Sequence, residues 1–514
     1  MCQGFDMRRI VAGMLALSVV ALPSCVSDRP ERSTESTVAI DLAAPGIAID
    51  ARLFGTNLPA WVGPDRLADE DLRQQVIDLG ATVIRMPGGS WSNHYDWRAC
   101  ELGEEDGCFW TWAARPTDFV DFLQATGAQG MWTVSFNGTA QEAAAAVAFF
   151  NGQLGDATPI GVDRRGRDWG VIGDWAQLRA AGGNPEPQRI ELWEVGNEIF
   201  GAEPDASGNC ADFGWENVWT CDGAEYVRGD DSHDGLVDFL AAMRAVDPAI
   251  EIGAVGVHDP SSWTDFGHDV LDSPEPFDFY VVHDYGFDHS PSGEEAVASP
   301  ARKWGEFLDP LDDALEARQM ADLPVAITEY NLVSFEDADT DQMMTRAANA
   351  LFLADTIGQM AERGVAMANQ WNVVNGRAWN GTDYGMIDAD TGVLAPQYYG
   401  LQMWTSMTGR LLPVEHGFDP IEQASAYAAV DDGGVVRVMI INKSDDPLDV
   451  ELDVAGASGA LTWTVRAVVA DDLEATTLDV HDGRTLSSAG PTVEEAVAAY
   501  SITVLEGTPS SATG

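Results

Sequence analysis

Two glutamates stand where apolar stretches of this chain end, and together they suggest one kind of chemistry. Glu198 follows the run Ile190–Asn197, and Glu329 ends the run that begins at Val325. Two carboxylates facing each other across a cleft suit the hydrolysis of glycosidic bonds. One protonates the leaving oxygen while the other attacks the anomeric carbon. We therefore take Glu198 and Glu329 as the candidate catalytic pair.

A barrel of alternating strands and helices would bring this pair to one mouth. Eight strands that alternate with amphipathic stretches indicate a (β/α)8 barrel, an α/β fold whose active site lies at the carboxyl ends of its strands. A doubly wound sheet is the alternative, but no G-x-G-x-x-G motif follows any of these strands. The eight expected strands are Ala48–Phe54, Ala81–Met86, Met131–Phe136, Ile190–Val195, Ile252–Val255, Phe279–His283, Val325–Glu329 and Ala366–Trp371.

The chain changes character after about residue 410. Short β-rich runs, among them Val435–Ile441, Leu448–Val454 and Leu461–Val469, alternate with turn residues there. This pattern predicts a C-terminal antiparallel β-sandwich domain. The segment Thr37–Leu42 is also strand-like and is a candidate to pack with it.

The first 25 residues have the pattern of an export signal. Arg8 and Arg9 precede the uncharged run Ile10–Leu22, which is too short for a transmembrane helix. The Leu-Pro-Ser-Cys that ends at Cys25 resembles a bacterial lipobox, which implies cleavage before Cys25 and lipidation of its thiol. A plain signal peptide is the alternative. We expect an extracytoplasmic protein that is lipid-anchored to the bacterial cell membrane or secreted.

These patterns predict the order of segments along the chain. A signal peptide (1–24) and a polar tether (25–37) precede a strand (38–48) that is a candidate member of the sandwich. The catalytic barrel (49–408), the β-sandwich (409–508) and a frayed tail (509–514) follow.

Cysteine usage agrees with export. Cys100 and Cys108 form one local pair, and Cys210 and Cys221 form another. In an oxidising compartment two loop-closing disulfides are the natural interpretation. A four-cysteine zinc site is the competitor, although neither pair has the C-x2-C or C-x4-C spacing that zinc prefers.

The charge balance is strongly acidic. The chain has 83 Asp plus Glu against 28 Lys plus Arg, a formal net charge of −55. Such a chain repels phosphate backbones, so nucleic acid is excluded as a partner. Lys303 and Lys443 are the only lysines in the sequence. This deficit fits either a surface that stays hydrated in salt or a genome that favours Arg over Lys.

The sequence resembles a known enzyme family around these motifs. The stretch from Trp175 to the Trp-Glu-Val-Gly-Asn-Glu that ends at Glu198, with Arg85-Met-Pro-Gly-Gly89, is similar to the retaining α-L-arabinofuranosidases of clan A. It is also similar to clan members with endoglucanase or xylosidase activity. The resemblance covers roughly residues 45–505 and implies a barrel with a C-terminal sandwich, with Glu198 as general acid/base and Glu329 as nucleophile.

The same resemblance implies further sugar-binding residues. Asn197 matches the residue that binds the 2-hydroxyl, and Arg85 matches an arginine beside the nucleophile. Tyr285 and Trp371 match further residues of that sugar site. Four more candidate substrate contacts do not come from the resemblance: Asn57, Asn137, Trp91 and His283, for which a satisfied core histidine is the alternative. Two departures bear on the substrate: Tyr330-Asn331 follows the nucleophile in place of the usual Trp, and two cysteine-bounded loops are inserted at the mouth.

The proposed roles set expectations for the two carboxyl groups. Burial should raise the pKa of Glu198, because the acid must hold a proton near neutral pH. Arg85 and Tyr285 should favour the ionised form of Glu329. Six tryptophans crowd the cysteine-bounded loops, where indoles can stack on sugars: Trp91, Trp97, Trp110, Trp112, Trp215 and Trp219.

No cofactor or metal is expected. The eight histidines form no H-x-H or H-E-x-x-H motif. A set of aspartates could hold calcium, but a solvated loop is the expected alternative in so acidic a chain. This set comprises Asp222, Asp230, Asp231 and Asp234.

Three functional hypotheses follow. The first is a retaining glycosidase on polysaccharide or oligosaccharide, with α-L-arabinofuranosidase as its specific form. The second is a clan A β-glycanase or β-xylosidase. The third is a non-catalytic glycan-binding surface lipoprotein, against which the presence of both Glu198 and Glu329 argues, because a binder needs neither.

Overall fold

The computed structural model describes residues 37–104, 108, 110–203, 210, 214–457, 459–487 and 492–509. The predicted signal peptide and the lipidation candidate Cys25 lie outside these residues. Within them, no helix is both long enough and apolar enough to cross a membrane.

Eight parallel strands close into a barrel, each paired with its neighbour in sequence and the last with the first. The predicted barrel is therefore confirmed. Its inward- and outward-facing residues are almost all buried, as expected where helices surround the strands. The strands β1 to β8 are Gly55–Asn57, Val83–Met86, Gln129–Val134, Leu192–Val195, Glu251–Val255, Phe279–Phe287, Val325–Val333 and Met367–Gln370.

Helices connect these strands and cover the barrel. The helix Glu70–Leu79 is typical, because Asp69 caps its first turn and Gly80 ends it at a φ of 77°, which glycine adopts without strain. The α-helices are Pro64–Leu67, Glu70–Leu79, Trp97–Leu102, Pro116–Thr126, Ala140–Asn151, Ile172–Ala181, Gly223–Arg228, Leu236–Val246, Ser262–Leu271, Gly293–Phe307, Asp309–Ala317, Ala347–Glu362 and Pro396–Trp404.

Three predicted strands, the first, sixth and seventh, require correction, and the sixth extends beyond His283 to Phe287. Ala48–Phe54 is not the first barrel strand: Ala51–Phe54 forms a 3-10 helix, and β1 begins at Gly55. Asp50 accounts for the difference, because its carboxylate accepts from the Arg52 backbone N–H and stabilises the helical turn. Strand seven does not end at Glu329 but continues to Val333, paired with an equally long β6.

The C-terminal strands form the predicted sandwich, in which two sheets pack around a core that includes Val38, Leu452 and Trp463. Thr37–Asp41 lies in the smaller sheet, where it pairs parallel to Leu448–Ala455. The smaller sheet has the order Val414–His416, Thr37–Asp41, Leu448–Ala455 and Thr492–Val497. The larger has the order Asp479–Ser487, Leu461–Val469, Ser501–Pro509, Val436–Asn442, Ala424–Val430, Arg410–Leu412 and Ile47–Ala48.

Both lysines of the chain are engaged in ion pairs. Lys443, in the sandwich, contacts Asp355 of the barrel helix Ala347–Glu362 at 2.6 Å, and both side chains are buried. Lys303 pairs with Asp284 in β6. Each lysine is therefore paired with one aspartate, and neither offsets the wider negative charge of the surface.

The charge excess predicts that salt stabilises the protein. Exposed carboxylates repel one another, and the Debye length that limits this repulsion falls from about 10 Å at 0.1 M to about 3 Å at 1 M salt. We expect the thermal unfolding midpoint to rise between low and molar NaCl. The control is sucrose at equal osmolality, because sucrose is excluded from the protein surface but does not screen charges. A flat or falling midpoint would favour the genome-composition explanation.

Candidate active site

The barrel brings the two candidate catalytic carboxylates together. Glu198 follows β4, and Glu329 lies within β7. One side-chain oxygen of each, together with a ring nitrogen of His283 in β6, lie within 4.8 Å of one another. In retaining glycosidases the two carboxyl groups are about 5–5.5 Å apart, whereas inverting enzymes separate them by about 6.5–9.5 Å to admit a water. The closeness of the two oxygens is compatible with the shorter, retaining separation.

A strained backbone turn places Glu198. Its φ of 43° and ψ of 42° are in the left-handed region, which a residue with a Cβ adopts at a cost. The carboxylate is held at both oxygens: Trp215 Nε1 donates to Oε2, and His283 Nδ1 lies 2.8 Å from Oε1. The turn and these two partners fix the side chain in the cleft.

Arg85 is the buried centre of the site, with an exposed fraction of 0%. Its Nη1 donates to Glu329 Oε1 and to Asn57 Oδ1, both at 2.8 Å, and its Nη2 donates to Asn197 Oδ1 at 2.8 Å. Its Nε donates to Glu194. The buried guanidinium is therefore paired with two carboxylates, which satisfies the requirement that a buried charge be paired.

Glu329 receives hydrogen bonds on both oxygens. Arg85 donates to Oε1, and the Tyr285 hydroxyl donates to Oε2 at 3.0 Å. Burial raises the pKa of Glu329, the charges of His283 and Arg85 lower it, and the charge of Glu198 raises it, with a net upward direction. The Glu198 contribution disappears when that residue is protonated, and Arg85 and Tyr285 then stabilise the ionised nucleophile.

The Glu198 pKa departs from the expectation. Burial raises this pKa, but the hydrogen bond and the charge of His283 lower it by more than burial raises it, so the net direction is downward. Burial lowers the pKa of His283, whereas Glu329, Glu194 and Glu198 raise it to about 10. The acid proton therefore belongs to the His283–Glu198 pair and not to an isolated carboxyl group.

The hydrogen-bond network shows where this proton lies. Thr328 Oγ1 donates to Glu194 Oε1 at 3.2 Å, so it accepts from His283 Nε2 at 3.0 Å. Nε2 then carries a hydrogen, and the proton of the pair lies between His283 Nδ1 and Glu198 Oε1. Transfer along this contact supplies a protonated Glu198.

An aromatic wall borders the site. Trp371, 7% exposed, meets Trp61 edge-on with ring centroids 5.8 Å apart, and Trp61 meets Trp91 at 5.0 Å. Gly89 of the Arg85-Met-Pro-Gly-Gly89 motif permits this packing, because a Cβ there would lie 2.5 Å from the Trp371 ring. Trp371 and Trp91 therefore both pack against Trp61.

Two candidate substrate contacts have other partners in this structure. Asn57 is buried, and its Nδ2 donates to the backbone oxygens of β7 and β8 while its Oδ1 accepts from Arg85. Asn57 therefore supports Arg85 from below. Asn137 Nδ2 donates to the backbone oxygens of Asn93 and Asn217, each at 2.9 Å, and so ties two loops together.

Both predicted disulfides are present, Cys100–Cys108 and Cys210–Cys221. Two residues beyond the first loop, Trp110 stacks on Trp91 with centroids 3.7 Å apart and planes within 7°. Trp112 is 54% exposed and meets Trp91 edge-on. The second loop differs from the expectation: Trp219 packs against Phe136 and His233, and Trp215 donates to Glu198.

Sequence reasoning missed several buried polar residues. Glu194 is paired with Arg85. Burial raises the pKa of Glu194, but Arg85 and His283 lower it by more, to about 2. Its place in the Trp-Glu-Val-Gly-Asn-Glu motif, two residues from a glycine at the strand end, was the available signal. Glu216 and Asn93 contact Asn197, but Glu216 lies in a loop and Asn93 in the short 3-10 helix Ser90–His94, where no periodicity marks an inward side chain.

The donors present give little reason to expect a metal ion. Among the described residues, Glu198, His283 and Glu329 form a group of possible ligands, but Arg85, Trp215 and Tyr285 already donate to its carboxylates. Of the aspartates considered for calcium, Asp222 caps the helix Gly223–Arg228, and Asp230 accepts from nearby backbone N–H groups.

No protein-family model matches the chain. It is 25% identical over 360 residues to the intracellular exo-α-(1→5)-L-arabinofuranosidase of Bifidobacterium longum, covering 62% of this chain and 57% of that protein. It is 24% identical over 268 residues to α-L-arabinofuranosidase C of Emericella nidulans, covering 45% of each. The chain thus spans about half the length of these curated relatives.

Solved structures share the fold. The α-L-arabinofuranosidase of Thermotoga maritima, in its arabinose complex, superposes with a TM-score of 0.71 at 18% identity, covering 92% of this chain and 99% of that one. A family 44 endoglucanase from Clostridium thermocellum gives a TM-score of 0.60 at 16% identity, covering 92% and 100%. The resemblance seen in the motifs therefore extends to the barrel and the sandwich.

Proposed function

We propose that this chain is a retaining glycoside hydrolase that acts on oligosaccharides or polysaccharides, with α-L-arabinofuranosides as its substrates. The observation that carries the proposal is the carboxylate pair Glu198 and Glu329. One oxygen of Glu198 lies within 4.8 Å of one oxygen of Glu329, and each carboxylate has hydrogen-bond partners. The curated relatives are named as α-L-arabinofuranosidases, which favours this sugar over the β-linked substrates of other clan members.

The first displacement uses both carboxyl groups. An oxygen of ionised Glu329 forms a bond to the anomeric carbon while the glycosidic C–O bond breaks. The leaving oxygen takes the proton that Glu198 shares with His283. Asn197, whose Oδ1 is held by Arg85, presents its Nδ2 to the 2-hydroxyl, a contact that strengthens in the transition state.

The second displacement reverses these roles. Glu198, now ionised, removes a proton from water, and the water oxygen attacks the anomeric carbon as the bond to Glu329 breaks. Glu329 leaves as a carboxylate, which Arg85 and Tyr285 stabilise by the hydrogen bonds described above. Two inversions at one carbon give a product of retained configuration.

A substrate screen tests the proposal. We expect release of the aryl group from an aryl α-L-arabinofuranoside, and slower or no release from aryl β-xylopyranoside and β-glucopyranoside. Faster turnover of the pyranosides or of a β-glucan would support the β-glycanase or β-xylosidase alternative. Binding of arabinan without turnover of any glycoside would support a non-catalytic binder.

The Cys100–Cys108 loop should control the binding of longer substrates. Replacing both cysteines by serine frees the segment that stacks Trp110 on Trp91, and closure of so short a loop contributes only about 2–3 kcal/mol to stability. We expect KM to rise for arabino-oligosaccharides more than for a small aryl glycoside, with kcat on the latter nearly kept. Steady-state kinetics on both substrates measures this.

The second loop supplies the comparison. Replacing Cys210 and Cys221 by serine loosens Trp215, which contacts Glu198, so kcat should fall on both substrates. Equal behaviour of the two variants, or free thiols in the wild-type protein by mass spectrometry, would contradict the assignment.

We also propose that the mature protein is exported and anchored by a lipid on Cys25. Support comes from the sequence alone: the basic Arg8-Arg9 pair, the apolar run and the lipobox-like Leu-Pro-Ser-Cys. In a bacterial host the wild-type protein should fractionate with membranes and carry the mass of a diacylglycerol-modified N-terminus. A Cys25→Ala variant should lose both properties. Soluble, unmodified wild-type protein would favour a plain signal peptide.

A further inference from the structure

Two adjacent residues of the Cys210–Cys221 loop contact two adjacent residues of the catalytic turn. Trp215 donates its indole N–H to Glu198, and Glu216 accepts from the side chain of Asn197 at 2.9 Å. The backbone supports both contacts, because Trp215 N and Glu216 N donate to Gly201 O at 2.9 and 3.0 Å. The loop is therefore docked along the segment that carries the acid/base.

The Glu216 carboxyl group is completely buried and accepts three side-chain hydrogen bonds. Its Oε1 accepts from Asn197 Nδ2 at 2.9 Å and from Ser90 Oγ at 2.5 Å. Its Oε2 accepts from Asn93 Nδ2 at 2.8 Å. Two neutral side chains of the 3-10 helix Ser90–His94 and one at the β4 end thus converge on one carboxyl group.

These contacts fix the orientation of both amides. Asn197 Oδ1 accepts from Arg85, so its amide nitrogen must face Glu216. Asn93 Nδ2 donates to the backbone oxygen of Asn197 at 2.8 Å as well as to Glu216, which commits both of its hydrogens. Asn197 keeps one N–H hydrogen that Glu216 does not use, and this one can face the sugar.

We propose that Glu216 is a positioning residue for the reaction, which holds the Asn197 amide in the orientation that serves the 2-hydroxyl of the sugar. The inference rests on the proposed glycosidase function. Without this acceptor, Nδ2 loses the partner that opposes Arg85, and the amide can rotate away from the substrate. The contact with the 2-hydroxyl matters most in the transition state, so its loss should act on kcat more than on KM.

A carboxyl group meets this need where an amide does not. Glutamine at 216 would place an NH2 against either Asn197 Nδ2 or Asn93 Nδ2, and both of those nitrogens are donors. A carboxyl group offers an acceptor on each side whether or not it is protonated, because a proton on Oε1 can point to Ser90 Oγ. Burial, with the charge of Glu198, raises the pKa of Glu216 to about 8.

A double-mutant cycle tests the inference on the full-length enzyme. We expect Glu216→Gln to lower kcat on the best aryl glycoside about tenfold to 100-fold while KM changes less than about threefold. In an Asn197→Ala background the same substitution should lower kcat less than about threefold, because the amide that Glu216 positions is gone. Glu216→Asp, which keeps two acceptor oxygens, should recover part of the activity.

The outcomes separate this inference from the proposed function. A wild-type enzyme inactive on every glycoside would refute the function itself. An active enzyme in which the Glu216 and Asn197 effects on kcat multiply independently would overturn the positioning role alone. If Glu216→Gln does not fold, Glu216→Asp replaces it in the cycle. Glu495→Gln, which alters another buried carboxylate in the sandwich, is the matched control and should leave kcat unchanged.

Discussion

Glu329→Gln is expected to reduce turnover by at least about 10⁴-fold, the scale on which enzymes lose activity when an essential catalytic side chain is removed. The amide is nearly isosteric, and its oxygen can still accept from Arg85, so the site should keep its shape. It cannot form the bond to the anomeric carbon, however, because a neutral amide is a very poor nucleophile. The loss should therefore appear in kcat, with little change in substrate binding.

Mass spectrometry of the intact protein gives a direct measurement. With a slow 2-fluoro glycoside that carries a good leaving group, the wild-type enzyme should gain the mass of one sugar, and peptide mapping should place that mass on Glu329. Glu329→Gln should gain none. The Glu495→Gln control should label like the wild type. Labelling of the Glu329→Gln protein at another carboxylate would show that the nucleophile had been misassigned.

The catalytic pair could be predicted because strand ends in a barrel are readable from sequence. Glu198 and Glu329 each end or follow an apolar run, and the barrel topology brings strands four and seven to one mouth, although β7 continues past Glu329 to Val333. Arg85 ends another such run in its Arg-Met-Pro-Gly-Gly motif. The alternation of strands and helices along the chain predicts the barrel, and the barrel places these residues near one another.

The supports of the pair could not be predicted in the same way. Asn57 is hydrogen-bonded to β7 and β8, more than 270 positions away, and no local pattern distinguishes it from a sugar contact. Glu216 lies in a loop between cysteines, where a carboxylate is expected to be solvated. Only the fold shows that this loop turns inward and buries it.

The direction of the Glu198 pKa was predicted incorrectly for a related reason. The sequence predicts a strand-end carboxyl group in a dry site, for which burial raises the pKa. It does not show that His283 Nδ1 lies 2.8 Å away or that Thr328 orients the other ring nitrogen. Three carboxylates surround this imidazole and raise its pKa. The proton needed for catalysis is therefore shared by His283 and Glu198.

Glu198→Ala should show a loss that depends on the leaving group. A leaving group with a pKa of about 10 or above needs a proton as the glycosidic bond breaks, so its release should slow by about 10²–10⁴-fold. A leaving group that is already stable as an anion needs none, so the first step should stay fast. The second step then limits turnover, because no base activates water, and a burst of aryl release should precede a slow steady state.

Azide distinguishes loss of the acid/base from general damage to the site. A small anion is a nucleophile that needs no base, and the alanine leaves room for it where the carboxylate of Glu198 stood. Azide should therefore accelerate the steady state of Glu198→Ala and not that of the wild type. Because the sugar is transferred first to Glu329 and then to azide, the glycosyl azide should have retained configuration. An azide product of inverted configuration would contradict Glu198 as the acid/base, because it would mean that the carboxylate removed was the nucleophile. An equal loss of rate for all leaving groups would contradict it too, because it would mean that Glu198 supplies no proton to the leaving oxygen.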